Sequence, residues 1–401
     1  MERGFLSNYF DSYASKRLSA VEADPKVSNQ HEFNGVAPLK TILGTARHQF
    51  PTKFVYLGVD EEDSITENGS VTWYDARENH PTRSEYRLYY PPTTVSAKAA
   101  EEDLLVIAKV PDGSLLVIIA RSGTTFEQQI EWLFNLTDQR TKSFTVGQLQ
   151  NEHDIELNFA SRLILEQLGI QITETAEYLL EMLINRFGKK FPTTRVFSEF
   201  ARETIQNVSA INDPDHALMA WMEREEMLFR TLEREIVEQR IRRGFYDVDS
   251  FISFSLSVQN RRKSRVGYAL ENHLEQIFIE NAMTYSRGKR TENKAKPDFI
   301  FPSIDDYRNP NFPTNRLTML GAKSTCKERW RQVLSEAARI KKKHLLTLEP
   351  GISQNQTNQM IAHDLQLVLP QQLHTTYHPS QQSWLINLTE FIKIVKVRES
   401  T

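Results

Sequence analysis

The sequence predicts an α/β (α+β) protein with a β-rich N-terminal domain and a C-terminal domain whose central mixed sheet is flanked by helices. Short runs of β-branched residues recur at close intervals before about residue 165. Apolar strands alternate with helical patterns between residues 290 and 395, which indicates a sheet covered by helices. A chain of 401 residues is long enough for two domains.

The N-terminal domain reads as a series of short strands. The clearest are 53–59, 69–74, 104–110 and 115–120, and the last two flank the sequence Pro-Asp-Gly-Ser at 111–114, a strong hairpin signal. Several short strands at such intervals predict a barrel-like sheet. A helix is predicted at 128–134.

The junction between the domains lies in a stretch with a helix and a helix stop. Residues 173–185 are amphipathic, and Gly188 and Pro192 follow them. We place the N-terminal domain at 1–168, a linker at 169–190 and the C-terminal domain at 191–401.

The C-terminal domain opens with helices. One is predicted at 193–207, and a long one follows an N-cap at Asp213-Pro214. A third begins at the apolar series that starts at Val266. A basic cluster stands immediately before that series, so cationic side chains and free backbone N–H groups would grip a phosphate together. The cluster is Arg261, Arg262, Lys263 and Arg265. Strands at 345–348 and 366–369 and a helix at 384–392 close the domain.

Three charged residues in this domain are spaced as in a catalytic site. Asp298 precedes an apolar strand, Lys323 ends the next one, and Glu336 lies beside an apolar helical stripe that runs from Trp330 to Ile340. Two carboxylates can hold Mg²⁺, and a lysine beside them can stabilise a phosphate's developing charge and orient or deprotonate a water. The pattern is that of a metal-dependent phosphodiesterase. The plainer alternative is that Asp298 caps a turn and the other two are solvated surface charges.

In the commonest form of such sites the second acid lies two residues before the lysine. That position here is Gly321, which cannot bind metal, so Glu336 is the best candidate to replace it. Trp330 is expected to pack in the core rather than stack on a base, and Cys326 to be a small packed residue rather than a nucleophile.

Three stretches carry a family resemblance: Pro297-Asp298 with 323–331 and Glu336, the run 257–275, and the run 344–353. They resemble the EcoRII-type (type IIE) restriction endonucleases of the PD-(D/E)XK nuclease superfamily, in the branch whose second acid lies on the helix after the lysine. The similarity spans residues 191–370. It implies a restriction-endonuclease-like core in which Asp298 and Glu336 bind Mg²⁺, Lys323 is catalytic and Glu271 is an accessory acid.

The resemblance also implies a substrate and partners. A homodimer would cut both strands of a short GC-rich palindrome in double-stranded DNA, of the CCWGG or CCNGG kind, and a cognate DNA methyltransferase would protect the host site. Lys327, Glu328 and Arg329 follow the lysine closely and would reach base edges in the major groove.

Two basic spots in the N-terminal domain resemble segments of the B3-like DNA-binding pseudobarrel of this family, which holds a second copy of the site. One is Lys16-Arg17, and the other carries Arg83 and Arg87, which alternation would put on one face of an extended segment. From the residues alone, a solvated strand face is the plainer interpretation of the second spot.

Composition sets outer limits on function. The formal net charge is −3, so a nucleic-acid binder must segregate its charge. A single cysteine excludes an internal disulfide and fits a reducing compartment. No apolar run approaches the roughly 18 residues that cross a bilayer, and the N-terminus lacks a signal peptide's apolar core. We therefore expect a cytoplasmic protein with no membrane partner.

Two other functions remain open at this point. The protein could be a modification-dependent nuclease whose N-terminal domain reads a methylated base. It could also be a DNA-binding regulator with an inactive nuclease core, although the intact Asp298, Lys323 and Glu336 argue against that.

Overall fold

A computed structural model describes residues 5–23, 31–33, 36–60, 62–80, 82–136, 142–149, 157–170, 177–326 and 329–400. It divides into two compact units. The first is Met1–Gln171 with Gly351–Gln356, and the second is Ile172–Pro350 with Thr357–Thr401. Within these ranges no helix is both long enough and apolar enough to span a membrane.

The first unit is built on an eight-stranded sheet with the order β2-β5-β4-β3-β7-β6-β1-β8. All neighbouring strands are antiparallel except β3 and β7, which are parallel. The strands are β1 (Ser12–Arg17), β2 (Glu32–Phe33), β3 (His48–Leu57), β4 (Ile65–Asp75), β5 (Tyr86–Tyr89), β6 (Leu104–Lys109), β7 (Leu115–Ala120) and β8 (Thr145–Gln148). The four predicted strands correspond to β3, β4, β6 and β7, and the predicted turn joins β6 to β7.

This sheet curls around a single hydrophobic cluster. Phe33 on β2 and Ala14 on β1 lie near opposite ends of the strand order, yet both belong to that cluster, and Val146 on β8 packs against it. A flat sheet could not bring its ends to the same core. The barrel-like sheet predicted from the strand spacing is therefore confirmed. The helices of this unit are α1 (Ala20–Ala23), α2 (Lys40–Leu43), α3 (Thr125–Leu133) and α4 (Phe159–Gln167).

The second unit has a five-stranded sheet with the order β13-β12-β11-β10-β9. Strands β11, β12 and β13 run parallel, whereas β9, β10 and β11 are antiparallel, so the predicted mixed sheet is confirmed. The strands are β9 (Ser286–Arg287), β10 (Phe299–Phe301), β11 (Thr318–Lys323), β12 (Lys343–Thr347) and β13 (Leu365–Val368). The helices are α5 (Glu177–Phe187), α6 (Thr194–Glu203), α7 (Pro214–Arg243), α8 (Val248–Glu280), α9 (Ile304–Arg308), α10 (Trp330–Leu334), α11 (Gln354–Ala362), α12 (Pro379–Gln382) and α13 (Leu388–Ser400).

Helices α7 and α8 form a long hairpin with well-marked ends. The Asp213 side chain accepts the His216 N–H at the start of α7, and Gly244, with φ 73°, ends it. Helix α8 starts at Val248 after an Asp247 cap. The basic cluster 261–265 therefore lies in the middle of α8. The prediction that it marks a helix start was wrong, because backbone N–H groups there are already bonded within the helix.

The helix after Lys323 is shorter than its apolar stripe predicts. Helix α10 ends at Leu334 instead of reaching Ile340, although Trp330 and Val333 are fully buried as the stripe requires. Ala337 takes a left-handed conformation with φ 48°, which breaks the helical path. Glu336 consequently lies in the turn just beyond the helix, and its predicted place on the helix needs this correction.

Helix α5 lies within the segment predicted as a linker. Its Leu179 and Leu183 are completely buried in a cluster with Phe197, Phe200 and Leu228. These residues of 169–190 thus pack into the second unit and contribute to its core.

Candidate active site

Asp298 stands at the entrance to β10, where the antiparallel pairing of β10 with β11 brings it beside the end of β11. Phe299 lies opposite Leu320 in that register. One carboxylate oxygen, Oδ2, accepts a hydrogen bond from the backbone N–H of Ala322 at 2.7 Å and another from Lys323 Nζ at 2.8 Å. The predicted acid and lysine are therefore in direct contact, and the backbone bond fixes the orientation of the carboxylate.

Lys323 is the last residue of β11, so its side chain leaves the sheet at the carboxyl end of that strand. The side chains of Lys323 and Asp298 are only 16% and 14% exposed. An ion pair this shielded from water is stronger than a surface pair and holds the ammonium group in one place.

Glu336 is an acid with an unsatisfied oxygen. Its Oε2 atom is buried and has no hydrogen-bond partner in the described part of the chain. Burial raises the pKa of Glu336 to about 7; the positive charge of Lys323 opposes this rise and the negative charge of Asp298 adds to it. Glu336 thus lies within electrostatic reach of both other site residues, with an oxygen free to take a ligand.

Glu271 faces the same centre from α8. Burial raises the pKa of its carboxyl group, and the negative charge of Asp298 raises it further. Its Oε2 accepts a hydrogen bond from Arg287 NH2 at 3.0 Å. Arg287 also donates from NH1 to Glu275 at 2.7 Å. Glu271 therefore lies within electrostatic reach of Asp298 and Lys323.

Arg287 was missed by the sequence reasoning. It lies on β9, while the two acids that it bonds lie on α8, one and two turns before the helix ends. A lone arginine on a two-residue strand carries no local signal. Only the pairing of β9 with β10, next to Asp298, brings it to the site.

Gly321 occupies the position where most such sites carry their second acid. A Cβ atom built there would lie 3.0 Å from Val333 Cγ2 and 3.3 Å from its Cγ1. Because Val333 belongs to α10 and is fully buried, the space beside Gly321 is filled by the helix that leads to Glu336. A side chain at 321 would require Val333 to shift by a few tenths of an ångström within a closely packed core.

The predicted DNA contacts of the second unit fall into two groups. Lys263 and Arg329 are exposed, and Arg261 lies with its guanidinium over the ring of Phe191 at 4.8 Å. The other two arginines of the cluster are paired: Arg262 with Glu233 at 2.7 Å, and Arg265 with Glu225 at 3.2 Å. Lys327 and Glu328 lie outside the described residues.

Arg265 corrects the prediction made for it. Its side chain is 7% exposed, donates to both the carboxylate and the backbone oxygen of Glu225, and stacks on Phe229 at 3.9 Å. Reaching a phosphate would leave the buried Glu225 carboxylate with only His273 beside it and without its arginine, which costs several kcal/mol. Arg265 therefore ties α8 to α7 and does not face DNA.

The basic residues predicted as DNA contacts in the first unit also divide into buried or paired side chains and exposed ones. Lys16 is completely buried and paired with Glu22, so it too is removed from the predicted DNA contacts. Arg17 pairs with Glu127 and, at 2.6 Å, with Glu131. Arg87 is partly exposed and pairs with Glu32 and Glu85, each at 2.9 Å, whereas Arg83 is exposed just before β5. Arg83 and Arg87 remain in reach of a ligand.

Comparison with known proteins identifies relatives of this chain. The EcoRII C-terminal family model matches residues 229–392. The type II restriction enzyme EcoRII of Escherichia coli is 43% identical over 394 residues, which cover 96% of this chain and 93% of that enzyme. Two solved structures are weakly similar. Metal-depleted Ecl18kI in complex with uncleaved DNA has a TM-score of 0.45 at 15% identity, over 57% of this chain and 86% of that one. The PspGI–substrate DNA complex has a TM-score of 0.41 at 13% identity, over 56% of this chain and 92% of that one.

The family match over residues 229–392 and the similarity to EcoRII place the second unit among site-specific nucleases of the type II restriction class. The identity across nearly the whole chain then defines its family. The chain belongs to the EcoRII family of type II restriction endonucleases.

Proposed function

We propose that this enzyme is a Mg²⁺-dependent homodimer that cuts both strands of a short GC-rich palindrome of the CCWGG or CCNGG kind. The observation that supports it best is the contact of Asp298 Oδ2 with Lys323 Nζ, beside the unpartnered Oε2 of Glu336. A cognate DNA methyltransferase would protect the host's own sites, and both proteins would act in the cytoplasm.

The residues at the site fit a magnesium ion. All the donors are carboxylate oxygens, which Mg²⁺ prefers, and Glu336 presents a buried oxygen without a partner. Asp298 and Glu336 would bind the ion and Glu271 would assist. Among the described residues no group of three acids, histidines or cysteines is arranged to hold a metal ion. The protein would therefore supply two carboxylates, and water and phosphate oxygens would complete the coordination. When bound, Mg²⁺ supplies positive charge at the scissile phosphate and acidifies a water molecule.

The protein's own groups position the reaction. Lys323 is held at 2.8 Å by Asp298, so its ammonium group is fixed beside the phosphate and stabilises the charge that develops there. The same group orients the attacking water. Asp298 is itself fixed by the N–H of Ala322, so the constellation is arranged before DNA arrives.

DNA recognition would use two sets of residues. Lys327, Glu328 and Arg329 follow the catalytic lysine and would read base edges, because a basic side chain bonds guanine O6 and N7 and an acid accepts from cytosine N4. Exposed Lys263, with Arg261 and Arg262 beside it, would contact phosphates. A two-fold DNA site requires a two-fold protein, which supports the homodimer.

The first unit would act as a B3-like effector domain. Its curled sheet presents Arg83 and Arg87, and we propose that these bind a further copy of the site. Binding there would relieve a block on the catalytic unit, provided that DNA binds the open state more tightly than the closed one.

The decisive experiment is digestion of an unmethylated phage genome by the purified protein, with Mg²⁺ or with EDTA, followed by sequencing of the ends. We expect ends at one short palindrome with Mg²⁺ and intact DNA with EDTA. Cleavage of methylated DNA alone would identify a modification-dependent nuclease. Specific binding without any cleavage would identify a regulator.

A further inference from the structure

The far end of the α7–α8 hairpin has no core of its own. The last buried residue of α7 is Glu233 and the first buried residue of α8 is Val258. Every residue between these two is described, and none of them is buried. We call residues 234–257 the hairpin tip.

The hairpin tip exposes a concentration of large apolar side chains. Val248, Ile252 and Leu256 are 72%, 46% and 52% exposed, and they follow one another at intervals of four residues on one face of α8. The full set is Ile241, Tyr246, Val248, Phe251, Ile252 and Leu256. Single exposed apolar residues need no explanation, but a contiguous set of this kind marks an interaction surface.

Aromatic side chains within the tip already contact one another. Phe245 packs against Phe251 and Phe254, with ring centroids 5.2 and 5.5 Å apart, and the Arg240 guanidinium lies 4.6 Å from the Phe245 ring. The aromatic contacts join the turn to α8. Val248, Ile252 and Leu256 take no part in these aromatic contacts and are exposed.

The charges nearest the turn form a basic half on α7 and an acidic half on α8, while Glu235 and Glu238 lie further back on α7. The last turn of α7 carries Arg240, Arg242 and Arg243, and the start of α8 carries Asp247 and Asp249. Arg243 and Asp249 are exposed and have no ion-pair partner among the described residues. In a two-fold interface each patch meets its own copy reversed, so a basic half on one protomer can face an acidic half on the other.

We infer that the hairpin tip is the surface on which a second copy of this chain docks, with the 248–252–256 stripe at its centre and Arg243 and Asp249 at its rim. The inference rests on the proposed homodimer and says where that dimer is joined. An apolar centre with a charged rim of both signs is the usual anatomy of such an interface.

The location has a consequence for cleavage. Glu271 lies on the same helix as Ile252, about 29 Å further along at about 1.5 Å per residue. Helix α8 therefore connects the inferred dimer surface directly to the candidate active site. Docking two tips would fix the separation of two such sites, which is what cutting both strands at a set stagger requires.

The test is sedimentation velocity on the full-length protein and on the double variant Val248→Glu/Ile252→Glu. Both positions are exposed, so the charges do not enter a core. Val397→Glu, at a position 64% exposed on α13, is the matched control. We expect wild type and control at twice 46.5 kDa and the double variant at 46.5 kDa. On a supercoiled one-site plasmid, with an added oligonucleotide that carries the site, the double variant should yield nicked circles where the wild type yields linear DNA. A double variant that stays dimeric overturns the inference.

A charge exchange gives an independent test. Arg243→Asp and Asp249→Arg should each weaken the dimer at least tenfold, and the two together should restore it. Failure of the pair to recover overturns the rim assignment. A wild type that is monomeric at every concentration, with and without cognate DNA, would instead refute the proposed homodimer itself. A dimer that survives all of these variants would refute only the surface.

Discussion

Gly321 and Val333 are packed so closely that a Cβ atom at residue 321 would lie 3.0 Å from Val333 Cγ2. The position two residues before Lys323 therefore has little room for the second acid that most such sites carry there. The helix that follows the lysine occupies that space, and we propose that Glu336, just beyond the same helix, replaces that acid.

Gly321→Asp is therefore expected to destabilise the protein and not to restore a Glu336→Gln variant. Forcing a side chain against Val333 should lower the free energy of unfolding by about 1–3 kcal/mol. Gly267→Ala is the matched control. Gly267 lies within α8, and a Cβ atom there meets nothing within 4 Å, so that change should stabilise the helix by about 0.5–1 kcal/mol. Urea unfolding of both variants measures this, and equal effects in the same direction would contradict the packing argument.

Asp298→Ala and Lys323→Ala should each abolish cleavage while specific binding persists. Each would remove a group that the proposed mechanism places at the transition state, so the rate should fall by about 10²–10³-fold or more. Single-turnover cleavage and gel-shift titration separate the two properties. Cleavage by either variant at a near wild-type rate would remove these residues from the proposed mechanism.

Glu336→Gln should raise the Mg²⁺ concentration needed for cleavage or eliminate activity, because an amide oxygen is a poorer ligand for a hard cation than a carboxylate. Glu328→Gln should instead relax the preference for the site, because its partner in the proposed function is a base. A metal titration and a survey of cleavage sites test the pair. The opposite pattern would show that the two acids have exchanged roles.

The raised pKa of Glu336 predicts how stability depends on pH in the metal-free protein. The pKa of Glu336 is about 7 in the folded protein and about 4.5 in the unfolded chain, so ionisation of this group favours unfolding. The free energy of unfolding therefore falls as pH rises from about 4.5 to 7. The Glu336→Gln variant has no carboxyl group to ionise here, so it does not lose this stability. At pH 8 without metal it should exceed wild type by roughly 1–3 kcal/mol, and at pH 4 the difference should vanish.

Thermal unfolding at both pH values checks that prediction, with Glu78→Gln at an exposed position as the control. Added Mg²⁺ should then stabilise the wild type more than Glu336→Gln, because a ligand that binds the folded state raises its stability. A Glu336→Gln variant that is no more stable than wild type at pH 8 would show that the carboxyl group is not strained by burial.

The second unit should fold and cleave without the first unit. Its stability should depend on the residue at which the fragment begins. A fragment that begins at Phe191 lacks α5 and exposes the site where Leu179 and Leu183 are buried. At about 1.5–3 kcal/mol for each buried leucine, it should be roughly 3–6 kcal/mol less stable than a fragment that begins at Ile172. Urea unfolding compares the two fragments.

The same fragment tests the proposed regulation. Intact enzyme should cut a one-site plasmid slowly and be rescued by an added oligonucleotide that carries the site, whereas the 172–401 fragment should be indifferent to the number of sites. Equal rates for both proteins on one-site DNA would leave the first unit as an additional DNA clamp with no regulatory role.

Several features could be predicted from the sequence because they depend on neighbours along the chain. Alternating and β-branched runs define β3, β4, β6 and β7, and the Asp213 and Pro214 pair marks the start of α7. An acid before one apolar strand and a lysine at the end of the next also predicted the contact of Asp298 with Lys323, because adjacent strands place their ends together.

Tertiary structure decided the rest, because the state of a charge depends on partners that are far away in the sequence. Lys16 and Arg265 look like surface cations in the sequence, yet each is buried against an acid, and the partner of Arg265 lies 40 residues earlier. Arg287 reaches Glu271 only through the pairing of β9 with β10. Glu336, whose Oε2 has no partner among the described residues, lies in a turn because helix α10 ends sooner than its apolar stripe indicates. Side-chain periodicity reports which face of a helix is buried and not where the backbone turns.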